Sequence, residues 1–290
     1  MYKRQVLDTL AQADGGAVVL AGGTDLMVDY KAGKIQPQMW IDVTRVPELC
    51  GITVEDGKLV IGAAVTLTTI ARSPLVCQYF PSLAQGCGTV GSLQIRNSAT
   101  LVGNVVSAQP AGDGAMSLAP LAPTFTVLSA QGERQLSMGE MYAGFARSTI
   151  DHSRELVTKI SIPLPQPGEA ASFVRLELRK SLSLPMLNCA AMVHVEDGLV
   201  TWARITMAPV GVVPVRAQAA EAFLAGKPLT DENMTQAGQL ALENANPRSN
   251  PLRGSREYRL DTLPVIIRRA LEACRDQLCL LYTSDAADEL

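Results

Sequence analysis

The stretch "IRNSATLVGN", Ile95–Asn104, sets small residues and polar amides side by side in a chain that is otherwise strongly apolar. Ser98 and Thr100 bring hydroxyls, Gly103 permits close approach to the main chain, and the Asn104 amide both donates and accepts. A second stretch, "VVLAGGTDL" (Val18–Leu26), has the same character. Its short apolar run ends in Gly22-Gly23 and reads as a buried strand entering a tight turn. "TDLMVDYKAG" then carries Leu26, Met27 and Tyr30 at helical spacing, with Thr24 or Asp25 placed to cap the helix start. "MWIDV" (Met39–Val43) supplies the next strand, which completes a strand, turn, helix, strand unit. Glycines at such a turn let successive N–H groups hold an anion. Two such loops could cradle a pyrophosphate from both sides and so hold a dinucleotide without a Rossmann fold. Taken singly, each is better read as an ordinary tight turn.

Working outward, "GITVEDGKLVIGAAV" alternates on either side of Asp56-Gly57 and predicts a hairpin. A helix capped by Thr66 should follow and end near Ser73-Pro74. "SLAQGCGTVGS" holds too much glycine for a long helix. "DGAMSLAPLAP" predicts a short helix, "TFTVLSAQGERQLSM" a hairpin across Gln131-Gly132, and "ELVTKISIPLP" a strand. Proline and glycine concentrate in "PLPQPGEA" (Pro163–Ala170), which is read as the domain boundary. Beyond it, "MLNCAAMVHVEDGLVTWARITMAPV" predicts two strands around Asp197-Gly198, and the remainder is mostly helical. The fold class is therefore α+β.

With 290 residues, 47% hydrophobic, 18% charged and a formal net charge of −3, the chain can bury a substantial core. It lacks the basic blocks of a nucleic-acid binder. No apolar run approaches the ~18 residues of a membrane span. Six scattered cysteines without a C-x-x-C fit a reducing cytoplasm and suggest neither an iron-sulfur cluster nor a zinc site. The glycine-lysine pairs at 33–34, 57–58 and 226–227 are each followed by the wrong residue for a phosphate-binding P-loop. No G-x-G-x-x-G opens a helix and no G-x-S-x-G elbow occurs. Of the two histidines, His152 and His194, neither has metal-ligand neighbours at helical spacing, and His194 alternates with apolar residues as a strand residue does. Residues 1–5 and 279–290 resemble the two strands of a transposon-end sequencing adapter translated in frame, and they are set aside as a probable processing scar.

"AGGTDL" followed some seventy positions later by "VGSLQIRNSATLVGNVVSAQPAGD" resembles the FAD-binding medium subunit of the molybdenum hydroxylases, the xanthine dehydrogenase and carbon monoxide dehydrogenase flavoprotein family. The likeness spans the chain, including the "ISIPLP" boundary and the "FVRLELRKS" opening of the second domain. The pair of motifs is specific, whereas either alone is weak. The resemblance implies a two-subdomain FAD-binding (PCMH-type) domain over 6–165, with the subdomain boundary near 50–60. It implies a C-terminal domain over 171–278 with a small antiparallel sheet and helices. It also implies FAD contacts from Leu20, Ala21, Gly22, Gly23, Thr24, Asp25 and Leu26 in the first subdomain, and from Thr100, Gly103 and Asn104 in the second. Asp113 would fix a polar part of the cofactor. Val90 and Val157 match positions near the isoalloxazine, and Arg175 matches a basic cofactor contact.

Three departures from the family pattern stand out. Val102 replaces the first glycine of the usual Gly-Gly-Asn, so backbone approach is expected to be less close there. Gln109 stands where serine is common, and the usual opening helix is cut short at "VLDTLAQADGGAVVL", which predicts a damaged first subdomain. By the resemblance no residue of this chain is catalytic and none binds a metal. The FAD would pass electrons from the iron-sulfur clusters of a small 2Fe-2S subunit, fed by a large molybdopterin-binding subunit, to NAD or another acceptor. Two alternatives belong to other classes. One is a stand-alone FAD-dependent oxidoreductase of the same fold superfamily, for which Glu177 and Ser181 offer no convincing catalytic pair. The other is a non-catalytic flavin-binding assembly protein.

Overall fold

The computed structural model describes residues 2–180 and 182–288, with side chains through residue 279. Ser181 and residues 289–290 lie outside the described residues, as do the side chains of most of the C-terminal stretch set aside above. Residues 2–5 form the first turn of helix α1 (Tyr2–Gln12), which buries Val6 and Leu10. Strand β1 (Ala17–Leu20) leads through the turn at 21–25 into helix α2 (Leu26–Lys31) and on to β2 (Met39–Asp42). β1 and β2 pair in parallel, Ala17 opposite Met39 and Leu20 opposite Asp42. A parallel pair needs a crossover, and α2 supplies it. Asp25 occupies the N-cap position without a side-chain capping bond.

The hairpin β3 (Ile52–Glu55) to β4 (Lys58–Gly62) turns on Asp56 and Gly57, both left-handed at φ 49° and 70°. That pair of conformations is the reason an Asp-Gly dipeptide marks such a turn. Four short helices follow: α3 (Leu67–Arg72), α4 (Pro74–Tyr79), α5 (Pro81–Thr89) and α6 (Leu93–Arg96). The Thr66 hydroxyl caps α3 by accepting from Thr69 N at 3.2 Å, and Ser73 caps α4 through Val76 N. The chain continues through α7 (Leu101–Val106) and α8 (Asp113–Leu118) into strands β5 (Thr124–Ser129) and β6 (Gly132–Ser137). A small ribbon of β7 (Tyr142–Gly144) and β8 (Arg147–Ser148) precedes β9 (Glu155–Pro163). β3, β4, β9, β5 and β6 form one antiparallel sheet in that order. Helices α3, α4, α5 and α7 share one core with it, built on Leu59, Ile61, Leu67, Phe80, Phe125 and Ile160.

Two local readings are corrected. The turn between β5 and β6 falls on Ala130 and Gln131, because Gly132 already pairs with Ser129. The glycine-rich 81–89 segment is a nine-residue helix. A Cβ on Gly86 would collide with the Ser117 side chain and lie 2.9 Å from the Asp113 carbonyl oxygen. Glycine there is the condition for α5 to lie directly on α8, and tertiary packing outweighs its poor helix propensity.

After Pro163 the chain changes sheets. β10 (Glu169–Leu176), β11 (Leu187–Glu196), β12 (Leu199–Ala208) and β13 (Val215–Arg216) make an antiparallel sheet, with β11 and β12 joined across Asp197-Gly198. Helices α9 (Gln218–Leu224), α10 (Asp231–Leu240) and α11 (Arg256–Asp288) complete the second core, in which Leu187, Ile205 and Met207 meet Leu263, Ile267 and Leu271. A third, small cluster joins the two units: Met116 of α8 is buried with Phe173, Ala190 and Ala208 of the second sheet. Among the described residues no helix is long and apolar enough to cross a membrane. Gly86→Ala should destabilise the protein by about 1–3 kcal/mol through overpacking. Urea unfolding would show this as a lower midpoint at unchanged slope.

Candidate functional site

The two small-residue stretches meet backbone to backbone. A Cβ on Gly22 would collide with the Ser98 carbonyl and lie 2.8 Å from Ala99 Cα, so only glycine lets the first loop lie against the second. Gly23 turns the chain at φ 69°, where L-residues with a Cβ are strained. The backbone amides of Gly22, Gly23 and Thr24 donate to no group of the described chain. Half-buried amides without a protein acceptor are unusual and are the raw material of an anion site. Ala21 and Leu20 anchor the loop by packing on the domain core and along β1. The Asp25 carboxyl is held above its ordinary range by the surrounding chain, although the residue as a whole is exposed. Asp29 adds to this, while the Ser107 hydroxyl opposes it.

The second loop is rigid for identifiable reasons. Thr100 is buried, caps α7 by accepting from Gly103 N at 3.0 Å, and forms an isolated bridge with Thr66. Ala99 accepts from Leu67 N, which ties the loop to α3. Asn104 Oδ1 accepts from Ala115 N at 2.9 Å, so this amide staples α7 to the first turn of α8 and leaves its Nδ2 for another acceptor. A Cβ on Gly112 or Gly114 would lie 3.0 Å from that same oxygen. Val102, the departure from the family pattern, sends its side chain into the core, where it is 8% exposed. The substituent thus occupies core volume and does not fill the space between the loops.

Asp113 opens α8 and is 5% exposed. Its Oδ1 accepts from Asn188 Nδ2 at 3.0 Å, and Arg175 Nε lies 3.1 Å from Oδ2. Arg175 also pairs with Glu177 and donates to the Ser183 carbonyl. Burial raises the Asp113 carboxyl, while Arg175, Asn188 and Thr89 pull it back. Asp113 thus faces the second domain through both carboxylate oxygens. Val90 is half-buried at the end of α5, where its carbonyl accepts from Arg96 Nη1 at 2.9 Å. Val157 lies in the core on β9, opposite Val127. The structure brings Gly22 to Ser98, Asn104 to α8 and Asp113 to Arg175, and it places Val90 and Val157 in the same core as Ala21, Ala99 and Val102.

Asn188 was not among the residues singled out from the sequence. The only signal for it was an amide inside the apolar run "MLNCAAM", which in a buried strand demands a partner.

Two small-residue loops that meet at a glycine, the first with amides that find no acceptor among the described residues, make a candidate dinucleotide site of the non-Rossmann kind. Residues 3–165 match the model of the FAD binding domain in molybdopterin dehydrogenase, and residues 172–274 match that of the CO dehydrogenase flavoprotein C-terminal domain. The chain belongs to this family of FAD-binding dehydrogenase subunits. It is 34% identical over 219 residues to the nicotinate dehydrogenase FAD-subunit of Eubacterium barkeri, covering 74% of each chain. It is 28% identical over 265 residues to the carbon monoxide dehydrogenase medium chain of Hydrogenophaga pseudoflava, covering 91% of each. Its fold matches a solved carbon monoxide dehydrogenase of Hydrogenophaga pseudoflava with a TM-score of 0.87 at 28% identity, over 94% of each chain. It matches quinoline 2-oxidoreductase of Pseudomonas putida 86 at 0.86 and 27%, again over 94% of each.

The unclaimed amides at 22–24, held in place by the contact of Gly22 with the Ser98–Ala99 backbone, fit a diphosphate-bearing cofactor. Gly22→Ala should lower FAD affinity by about tenfold to a hundredfold, the equivalent of about 1.5–3 kcal/mol of misfit. Fluorescence titration with FAD measures this. Asn104→Ala strands Ala115 N and should cost about 1–3 kcal/mol of stability, read from thermal unfolding in the absence of FAD.

Proposed function

We propose that this chain is the electron-transfer subunit of a cytoplasmic heterotrimeric molybdenum hydroxylase. In this reading, electrons released at a molybdopterin centre on a large subunit pass through a small 2Fe-2S subunit to the FAD held here. They leave for NAD or another acceptor. The single observation that carries the proposal is the meeting of Gly22 with Ser98 and Ala99, which joins two amide-rich loops into one site.

FAD supplies the redox chemistry when bound, and the chain supplies position and electrostatics. The amides of Gly22, Gly23 and Thr24 and the first turn of α7 would hold the pyrophosphate oxyanions, with the Thr100 hydroxyl and Asn104 Nδ2 as further donors. Leu20, Ala21, Asp25 and Leu26 shape the first wall, with Gly103 giving room at the second. Val90 and Val157 would lie on the flavin side of the site, and Arg175 and Asp113, paired with each other, would form its polar wall. The relatives named as FAD subunits or medium chains of nicotinate and carbon monoxide dehydrogenases support this assignment.

Purified alone, the protein should be yellow and should bind one FAD. Mixed with its two partner subunits and an oxidisable substrate of the large subunit, it should restore electron flow to NAD or to an artificial acceptor. A colourless protein that takes up no added FAD would contradict the proposal.

A further inference from the structure

The Asp113 carboxylate of α8 reaches across the domain boundary to Asn188 and Arg175, and none of the family features read above accounts for Asn188. This residue lies on β11 of the C-terminal domain and is completely buried. Its Nδ2 donates to Asp113 Oδ1 at 3.0 Å, and its Oδ1 has no hydrogen-bond partner among the described residues. A buried amide with one half unsatisfied is costly. A fully apolar residue at 188 would avoid that cost, yet the bond to Asp113 would be lost.

That bond ends on the first turn of α8, where the Asn104 amide of the second cofactor loop is also stapled, through Ala115 N at 2.9 Å. The apolar side of the same helix is seated on the C-terminal sheet by Met116 against Phe173, Ala190 and Ala208. One turn further on, Arg204 of β12 donates to the Pro120 carbonyl at 3.1 Å. The second domain therefore grips α8 at its first turn, at its middle and just past its end, and Asn188 shares with Arg175 the contact to Asp113 on the turn that Asn104 also engages.

We infer that Asn188 is a positioning residue for the flavin site: by holding the Asp113 carboxylate it fixes the first turn of α8, and through Asn104 the second pyrophosphate loop. The C-terminal domain thereby becomes part of the cofactor-retention machinery, although both loops belong to the first domain. The inference rests on the FAD-binding reading above. The groups that face the Asp113 carboxylate are Arg175 from β10, Asn188 from β11, and Thr89 and Cys87 from α5, with Glu177 behind Arg175.

The experiment compares FAD binding by the full chain and by two variants over a range from mildly acidic to mildly alkaline pH. Asn188→Leu keeps the volume and removes the donor, and FAD affinity should fall about tenfold. Asn188→Asp keeps the shape but sets two carboxyls face to face. Such a pair shares a proton at low pH and repels once both are ionised. Each carboxyl raises the other's pKa, so the contact is present at low pH and lost as pH rises. FAD affinity of Asn188→Asp should accordingly decline with rising pH, while the parent stays flat over the same range.

A parent that binds no FAD would overturn the functional reading itself. A parent that binds FAD, beside a folded Asn188→Leu that binds it equally well or an Asn188→Asp with the parent's pH profile, would overturn the role of Asn188 alone. If neither variant folds, amide hydrogen exchange of the parent decides. FAD should protect residues 187–190 as well as 113–118, and unchanged exchange at 187–190 would refute the inference.

Discussion

The close approach of Gly22 to the Ser98–Ala99 peptide is the constraint on which the rest of the site depends. Backbone can lie against backbone only where no side chain intervenes, and position 22 has none. The first loop is thereby held against the segment that leads into α7, and the amides of residues 22–24 find no acceptor among the described residues. A site made of main-chain donors owes little to side-chain identity. This explains how Val102 can replace a glycine there: its side chain turns into the core and its backbone stays where the loop needs it.

Helix α8 is the second organising element. It touches three parts of the molecule by three kinds of interaction. Gly86 admits α5 to its surface, Asn104 fastens its first turn to the second loop, and Met116 and Asp113 engage the C-terminal sheet through apolar and polar contacts respectively. The Asp113–Arg175 pair is buried, and a buried pair is a weak source of net stability but a strong penalty when halved, about 3–5 kcal/mol. Its value here is in fixing orientation: the arrangement has one geometry in which every charge has a partner.

Much of this was legible because its causes are local. The Asp-Gly turns at 56–57 and 197–198 take left-handed conformations at both positions, Thr66 caps the helix it precedes, and that helix ends at Ser73-Pro74. The two loops were recognisable as a pair by composition, and Val102 as the point of departure. What was not legible depended on residues distant in sequence. The helix over 81–89 exists because α8 lies against Gly86, a fact no propensity contains. Asn188 meets an aspartate 75 positions away, and its role follows only from the seating of one domain on the other. The turn between β5 and β6 was misplaced by one residue because Gly132 is used as a strand residue.

The central claim is that a pyrophosphate is held from two sides, by the amides of residues 22–24 and by the first turn of α7 with Asn104. A crystal structure of the FAD complex tests it most directly. The account predicts pyrophosphate oxygens within hydrogen-bond distance of both loops at once. A cofactor whose phosphates contact only one of them, or lie elsewhere on the chain, would contradict it.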